Sequence, residues 1–181
     1  MRIISGKYKS KAISTLKSQD TRPTSDKVRE NIFNILGPVE GRVLDLFAGS
    51  GALGIEALSR GASSAMFIDG AGDAVKMVRK NTDELDEDVE IYRNDYRRAL
   101  KAMAKRDRQF DLIFLDPPYH KGMAEEALMY IKELKVLDAR GRIVVETHKD
   151  ERYAEEGYTS IREAVYGTIR INILKKEGGQ S

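Results

Sequence analysis

The sequence predicts an α/β fold with a mostly parallel sheet, helices on both faces of the sheet and an antiparallel hairpin at the C-terminal end. Short β-branched or aromatic segments alternate four times with amphipathic segments of helical spacing from residue 42 onward. The last two strand-like segments are joined by a tight turn at Gly167. Strand–helix–strand repeats form right-handed crossovers between parallel strands, whereas a tight turn joins antiparallel strands.

The predicted elements follow in chain order. Apolar residues at 28, 32, 35 and 36 indicate an amphipathic helix that Thr24 or Ser25 caps and that Gly37 and Pro38 end. Strands are predicted at residues 42–47, 65–69, 89–94, 110–115 and 140–146, and the hairpin at 158–165 and 168–175. Helices are predicted at residues 52–60, 73–85, 96–105 and 123–134.

Length and composition exclude several classes of protein. A chain of 181 residues fits one core, and 41% hydrophobic with 33% charged residues excludes a disordered or membrane-spanning chain. The first ten residues have no apolar run typical of a secretory signal, so we expect a cytoplasmic protein, with a monomer as the default. Cysteine is absent, which excludes disulfides, thiolate metal sites and a cysteine nucleophile.

The two histidines, His120 and His148, lack a spaced carboxylate or cysteine partner. We therefore expect both on the surface, and we expect no metal and no membrane as partners.

Positive charge is concentrated at the N-terminus. Residues 1–29 contain eight Lys/Arg and two Asp/Glu (8 − 2 = +6), and the remainder contains 23 and 27 (23 − 27 = −4). Such a segment suits a polyanion, although a merely solvated end has the same composition. We therefore divide the chain into a basic arm and helix (1–37) and a Rossmann-like α/β domain (38–181). The candidate RNA-binding residues are Arg2, Lys7, Tyr8, Lys9, Lys11, Arg22 and Arg29.

A glycine-rich loop follows the first predicted strand. Gly49, Gly51 and Gly54 match G-x-G-x-x-G, which brings backbone N–H groups and a helix N-terminus against a ligand. The pattern alone equally describes a dinucleotide-binding loop. The preceding Asp45 opposes a pyrophosphate but suits an ammonium or sulfonium group, and S-adenosylmethionine has both.

Acidic residues end the next two predicted strands. Asp69 stands where an acidic side chain can accept hydrogen bonds from ribose hydroxyls. Both NAD enzymes and S-adenosylmethionine enzymes use an acidic residue in this way, so Asp69 does not distinguish between them. Asp95 is a good N-cap for the following helix, and we predict that it also contacts the adenine amino group of the cofactor. The complete set of candidate cofactor residues is Asp45, Phe47, Gly49, Gly51, Asp69, Asp95 and Tyr96.

The fourth strand ends in Asp116, Pro117, Pro118 and Tyr119, which are the candidate catalytic residues. Pro117 fixes a rigid turn and leaves its carbonyl free as an acceptor. Asp116 supplies a second acceptor, and Tyr119 a flat stacking surface. Two acceptors beside an aromatic face form a receptor for a planar group that bears –NH2, whereas the structural alternative is a rigid loop with a packed tyrosine.

These motifs resemble the Rossmann-like class I methyltransferases, and specifically the RsmD family of 16S rRNA (guanine 966-N2)-methyltransferases. The resemblance is carried by residues 2–8, 21–36, 45–54 and 116–119 and spans nearly the whole chain. It implies a seven-stranded sheet, S-adenosylmethionine as cofactor, and 16S rRNA or a 30S assembly intermediate as partner. One departure is Gly70-Ala71-Gly72, where similar proteins tend to carry charged residues.

Three other functions remain open from the residues. The glycine pattern with Asp69 also suits an NAD-dependent oxidoreductase, and the basic arm suits a non-catalytic RNA-binding assembly factor. Among methyltransferases, transfer to the N6 of adenine in DNA or to a protein glutamine is the nearest alternative, because residues 116–119 are typical of amino-methylating enzymes in general.

Overall fold

The computed structural model describes residues 1–16 and 25–178. This part of the chain contains five α-helices and seven β-strands. They are α1 (Asp26–Leu36), β1 (Arg42–Asp45), α2 (Ala52–Ser59), β2 (Ser64–Asp69), α3 (Gly72–Thr82), β3 (Asp88–Arg93), α4 (Tyr96–Lys105), β4 (Phe110–Leu115), α5 (Met123–Leu134), β5 (Leu137–His148), β6 (Tyr158–Tyr166) and β7 (Ile169–Lys176).

The seven strands form one sheet in the order β3-β2-β1-β4-β5-β7-β6. Strands β1 to β5 pair in parallel, while β7 pairs antiparallel with both β5 and β6. The predicted parallel sheet with a C-terminal hairpin is therefore confirmed. The strand order reverses between β1 and β4, and ligands of open α/β sheets bind beyond the carboxyl ends of the strands at such a point.

Two hydrophobic clusters lie on the two faces of the sheet. One joins Phe33 of α1 and Leu58 of α2 to Phe114 of β4. The other joins Leu100 of α4 and Leu128 of α5 to β-strand residues such as Ile113. Because side chains alternate along a strand, successive residues of β4 enter opposite clusters, which confirms helices on both faces.

Several element boundaries differ from the prediction by one to three residues, because sequence patterns do not fix where an element ends; α3, for example, ends at Thr82 rather than at residue 85. Strand β1 ends at Asp45 rather than at residue 47, although the backbone N–H groups of Leu46 and Ala48 still donate to the carbonyls of Phe114 and Ile68. Strand β5 starts at Leu137, before the predicted residue 140, although exposed charged side chains interrupt its apolar pattern. Backbone pairing of Leu137 with Phe110 extends the strand regardless of that interruption.

The N-terminal arm, residues 1–16, folds back on itself and packs against the sheet domain. Arg2 and Ala12 form an isolated antiparallel bridge. Ile3 and Ile13 are buried in the same hydrophobic cluster as α1 and α2. The arm therefore shares the hydrophobic core of the domain. The division of the chain into residues 1–37 and 38–181 stays a prediction that the two parts differ in function, because they do not pack as separate bodies.

A buried carboxylate on α2 fixes the arm. Glu56 accepts hydrogen bonds from the backbone N–H groups of Ile4 (2.9 Å) and Ser5 (3.2 Å). Arg29 of α1 forms an ion pair with Glu56 at 3.2 Å, and both side chains are completely buried. The prediction that Arg29 binds RNA is therefore wrong, because its charge is used inside the protein. Charge patterns in the sequence do not distinguish a buried arginine from an exposed one.

Candidate functional site

Asp45 ends β1 inside the protein, directly before the glycine-rich loop. Its Oδ2 accepts a hydrogen bond from the backbone N–H of Gly54 at 3.1 Å. Its Oδ1 is also buried but has no hydrogen-bond partner among the described residues. Burial raises the pKa of Asp45 to about 8; the Gly54 N–H opposes this rise and the charge of Asp69 adds to it. A buried carboxylate oxygen without a donor fits a cationic ligand, which would favour its ionised form.

The glycines of the loop are required by its geometry. Gly51 precedes α2 with φ +86°, in the left-handed region. A Cβ on Gly54 would lie 2.4 Å from the ring of Phe67 and 3.3 Å from Asp45 Oδ2. The first turn of α2 can therefore approach Asp45 and β2 only with glycine at position 54.

Asp69 ends β2 and orders the turns on either side of it. Its Oδ2 accepts from the N–H of Gly49 and its Oδ1 from the N–H of Ala71, both at 2.9 Å. Each carboxylate oxygen can accept a second hydrogen bond. Asp69 therefore holds the glycine-rich loop against β2, and its contact with ribose hydroxyls stays a prediction.

Asp95 caps α4, as predicted. Its Oδ1 accepts from the backbone N–H groups of Arg97 (2.9 Å) and Arg98 (3.3 Å). The next residue, Tyr96, packs against Phe47 with ring centroids 5.1 Å apart. The structure thus brings these three candidate cofactor residues to one edge, with an apolar wall beside a carboxylate. Contact with adenine stays a prediction.

The candidate catalytic residues follow β4 at the same edge. Strands β1 and β4 are neighbours, and Asp45 pairs in register with Phe114. Asp116 therefore lies two residues, or about 6.6 Å along the strand direction, beyond the level of Asp45. Pro117 is buried, while Asp116 and Tyr119 are partly exposed. The strand ends that carry the buried Asp45 and the partly exposed Asp116 thus lie at one edge of the sheet, where the strand order reverses between β1 and β4.

Tyr119 belongs to an aromatic cluster that the sequence does not predict. Its ring centroid lies 5.8 Å from that of His148, at the end of β5, and His148 lies 5.1 Å from His120. His120 is on the surface as predicted, with 61% of its side chain exposed, but His148 is only 23% exposed. The prediction that both histidines are surface residues is therefore wrong for His148. The pairing of β4 with β5 creates this contact, and residue spacing does not reveal it.

Two candidate RNA-binding residues of the arm contact acidic residues next to β3. Lys7 Nζ lies 3.0 Å from Asp86 and 3.2 Å from Glu87. The Tyr8 hydroxyl donates to Glu87 at 2.6 Å. These contacts precede β3, so they lie at the amino ends of the parallel strands, away from Asp116. RNA binding by Lys7 and Tyr8 stays a prediction, and an RNA phosphate would have to compete with the carboxylates of Asp86 and Glu87 for these side chains.

The other candidate RNA-binding residues differ in their surroundings. Lys11 pairs with Glu84 at 3.6 Å. Arg2 is exposed and donates to the Ser10 carbonyl at 2.7 Å, and Lys9 is exposed. Arg22 lies outside the described residues.

Residues 1–16 and 25–178 contain neither a metal cluster nor a membrane span. No group of three or more His, Asp or Glu side chains in these two ranges could hold a metal ion. No helix in the same ranges is both long and apolar enough to cross a membrane.

Comparison with known proteins places the chain in a family. A family model described as conserved hypothetical protein 95 matches residues 1–175. Ribosomal RNA small subunit methyltransferase D of Haemophilus influenzae is 35% identical over 181 residues, which cover 97% of this chain and 93% of that protein. The chain belongs to the RsmD family. YlbH of Bacillus subtilis is 44% identical over 184 residues, which cover 98% of this chain and all (100%) of that protein.

Solved structures show the same fold. The Escherichia coli protein yhhF has a TM-score of 0.83 at 30% identity, with 98% of each chain covered. A protein of Thermus thermophilus has a TM-score of 0.83 at 27% identity, with 97% of this chain and 99% of that chain covered. The predicted Rossmann-like methyltransferase fold is therefore confirmed, and membership of the RsmD family favours a methyltransferase over the oxidoreductase and the non-catalytic alternative.

Proposed function

We propose that this RsmD-family protein transfers a methyl group from S-adenosylmethionine to the exocyclic N2 of a guanine in small-subunit rRNA. The observation that carries the proposal is the common edge of Asp45 and Asp116. A buried carboxylate oxygen without a hydrogen-bond partner among the described residues ends β1, and a carboxylate followed by a proline carbonyl and an aromatic ring follows the adjacent strand β4. The names of the curated relatives supply the class of RNA.

The residues at the end of β1 and β2 fit this cofactor. Asp45 Oδ1 would accept a cationic group, and the loop leaves room for a ligand at Gly49, since a Cβ there would meet nothing within 4 Å. Asp69 would accept from the ribose hydroxyls, and the Phe47–Tyr96 wall would cover the adenine beside Asp95. S-adenosylmethionine, when bound, supplies an activated methyl group on a sulfonium; S-adenosylhomocysteine would be the leaving group, and one N–H proton of the acceptor would pass to a carboxylate or to solvent.

The residues after β4 are suited to hold the acceptor. Guanine N2 is a poor nucleophile because its lone pair is delocalised into the ring. The Asp116 carboxylate and the Pro117 carbonyl would accept hydrogen bonds from its two N–H groups, which favours a more pyramidal nitrogen. Asp116 would also stabilise the positive charge that develops on this nitrogen. Tyr119 would stack on a base removed from its helix. Positioning and electrostatics are then the main contributions of the protein.

Methyl transfer from tritiated cofactor to small subunits from a strain that lacks this protein tests the proposal. We expect label in N2-methylguanosine after digestion of the rRNA to nucleosides. Label in N6-methyladenosine or in protein would favour the alternative acceptors, and no incorporation into naked 16S rRNA or 30S particles would reject the function.

The role of Asp116 has its own test. We expect Asp116→Ala to abolish transfer while the affinity for S-adenosylmethionine stays within a few-fold, because this carboxylate faces the acceptor. Asp111→Asn, near the opposite end of β4, is the matched control and should retain turnover, since Asp111 contacts Arg42 at the amino edge. Turnover retained in Asp116→Ala would reject the role without rejecting the function.

A further inference from the structure

Helix α4 presents a row of positive charges to solvent. Arg98, Lys101 and Lys105 stand at i, i+3 and i+7, so they share one side of the helix, and all three are exposed. The opposite side carries Leu100 and Met103 into the hydrophobic core. We call Arg98, Lys101 and Lys105 the α4 stripe.

The charge of this region is comparable to that of the arm. Residues 93–108 contain seven Lys/Arg and two Asp/Glu (7 − 2 = +5), whereas residues 1–16 contain four Lys/Arg and no acid. Two of the four arm cations, Lys7 and Lys11, already pair with carboxylates. The basic character of the chain is therefore not confined to the N-terminus.

The α4 stripe retains its charge for a ligand. Arg97 is occupied by Asp95 (3.2 Å) and Glu126 (3.1 Å) and is not part of the stripe. Within residues 1–16 and 25–178, no carboxylate lies at ion-pair distance from any of the three stripe cations. Lys101 stands 5.5 Å from the centroid of the Tyr130 ring, which supports its ammonium at the surface without neutralising it.

The stripe starts at the edge that carries the candidate site. Helix α4 begins directly after Asp95, and its first residue packs on Phe47. Helix α5, which contacts α4, begins shortly after Tyr119. The segment that follows Tyr119 forms, together with residues 150–153, a cavity of about 300 Å³ whose lining includes Glu125, Asp150 and Glu151, with Arg152 and His120. Phosphates would be repelled from that acidic cavity, whereas the side of α4 attracts them.

We propose that the α4 stripe binds backbone phosphates of the substrate RNA that flank the methylated base. This inference rests on the proposed function and adds the surface by which the RNA is held. Phosphate contacts fix the register of a nucleic acid without reading its sequence, so the stripe acts in affinity and orientation, while residues 116–119 act on the base.

The test is a filter-binding titration of unmethylated 16S rRNA at several salt concentrations with full-length protein. In the triple variant Arg98→Gln/Lys101→Gln/Lys105→Gln, we expect weaker binding and a salt slope reduced by roughly 0.7 for each lost phosphate contact, or about 2 in total. Glutamine keeps helix propensity. We expect KM for RNA to rise, while the affinity for S-adenosylmethionine and the thermal midpoint stay those of the wild type.

A matched variant on the other face of the sheet is the control. Lys76→Gln/Arg79→Gln/Lys80→Gln removes three exposed cations from α3 and should leave the slope nearly unchanged. Equal losses in both variants would overturn the inference, because any three cations would then serve. An unchanged slope in the α4 variant would overturn it as well. Weaker binding of 30S particles with unchanged binding of naked rRNA would assign the stripe to a ribosomal protein instead. The function itself fails only if the wild type methylates no rRNA.

Discussion

Asp45 combines two properties that do not occur together in a purely structural carboxylate. One oxygen is anchored by the backbone of α2, and the other is buried without a donor among the described residues. An unpaired buried polar atom costs about 1–3 kcal/mol, which a structural role alone does not recover. Binding of a cation would release this cost, which supports the proposed role of Asp45 in cofactor binding.

We expect Asp45→Asn to weaken binding of S-adenosylmethionine by about 10- to 100-fold, the equivalent of the 1.5–3 kcal/mol of a hydrogen bond to a charged group. Because burial raises the pKa of Asp45 to about 8, the wild-type carboxyl must lose its proton when the cation binds at pH 7. Calorimetry from pH 6 to 7.5 should show that the affinity of the wild type for S-adenosylmethionine rises with pH relative to the affinity of Asp45→Asn. The comparison removes the effect of the ligand's own titration, because that titration is the same for both proteins. A constant ratio would contradict this role.

The same pKa predicts how stability changes with pH. The native protein keeps a proton on Asp45 that the unfolded chain releases at the ordinary value near 3.8. The bound proton therefore stabilises the native protein to its full extent below about pH 4, and this stabilisation is lost as the pH rises through about 8. Urea titrations of ligand-free protein should show a larger loss of stability between pH 5 and 8.5 in the wild type than in Asp45→Asn. Parallel curves would show that the carboxyl is already ionised.

At the scale of elements, close packing of α2 on β2 makes Gly54 a sensitive position. A Cβ there would lie 2.4 Å from the buried ring of Phe67. We expect Gly54→Ala to lower the free energy of unfolding by about 1–3 kcal/mol, as overpacking generally does. Gly70→Ala is the matched control in the same edge, since its Cβ would meet only the Asn94 carbonyl at 3.9 Å. Equal stabilities in denaturant would show that α2 shifts without cost.

The elements that the sequence predicts well are those whose signal is local. Helix α4 starts where the Asp95 cap predicts, and the hairpin turns at Gly167, because capping and tight turns need only neighbouring residues. Strand β5 is longer than its sequence predicts because its first residues are held by pairing with β4 rather than by their own apolar pattern.

The candidate site shows the same division. The edge shared by Asp45 and Asp116 follows from the rule for parallel sheets and is predictable. The cluster of Tyr119 with His148 and the burial of Arg29 against Glu56 depend on residues 27 or more positions apart, so sequence spacing could not show them.

At the scale of the whole molecule, the arm is part of the fold and not an appended tail. Ile3 and Ile13 lie in the core, so deletion of the arm would remove buried apolar surface along with positive charge. Substitution of the exposed Lys9 and Arg2 is therefore the cleaner test of RNA contact by the arm, since it leaves the core intact.

Glu56 is the residue that ties this arm to the domain, and its replacement tests the architecture. Its two oxygens bind Arg29, Arg60 and the N–H groups of Ile4 and Ser5. Glu56→Gln removes the fully buried anion beside Arg29 and leaves this guanidinium paired with the more exposed Asp26, at 3.0 Å. We therefore expect a loss of up to about 3–5 kcal/mol in the free energy of unfolding.

We further expect faster hydrogen exchange at the amides of Ile4 and Ser5 in Glu56→Gln, because glutamine keeps only one of the two acceptor oxygens and turns an NH2 donor toward the arm. Glu84→Gln is the matched control: it breaks the pair with Lys11, in which the Glu84 side chain is 84% exposed, and should cost only about 0–1 kcal/mol. Unchanged exchange at Ile4 and Ser5 in Glu56→Gln would mean that apolar packing of Ile3 and Ile13 alone fixes the arm, with the buried ion pair adding nothing to its position.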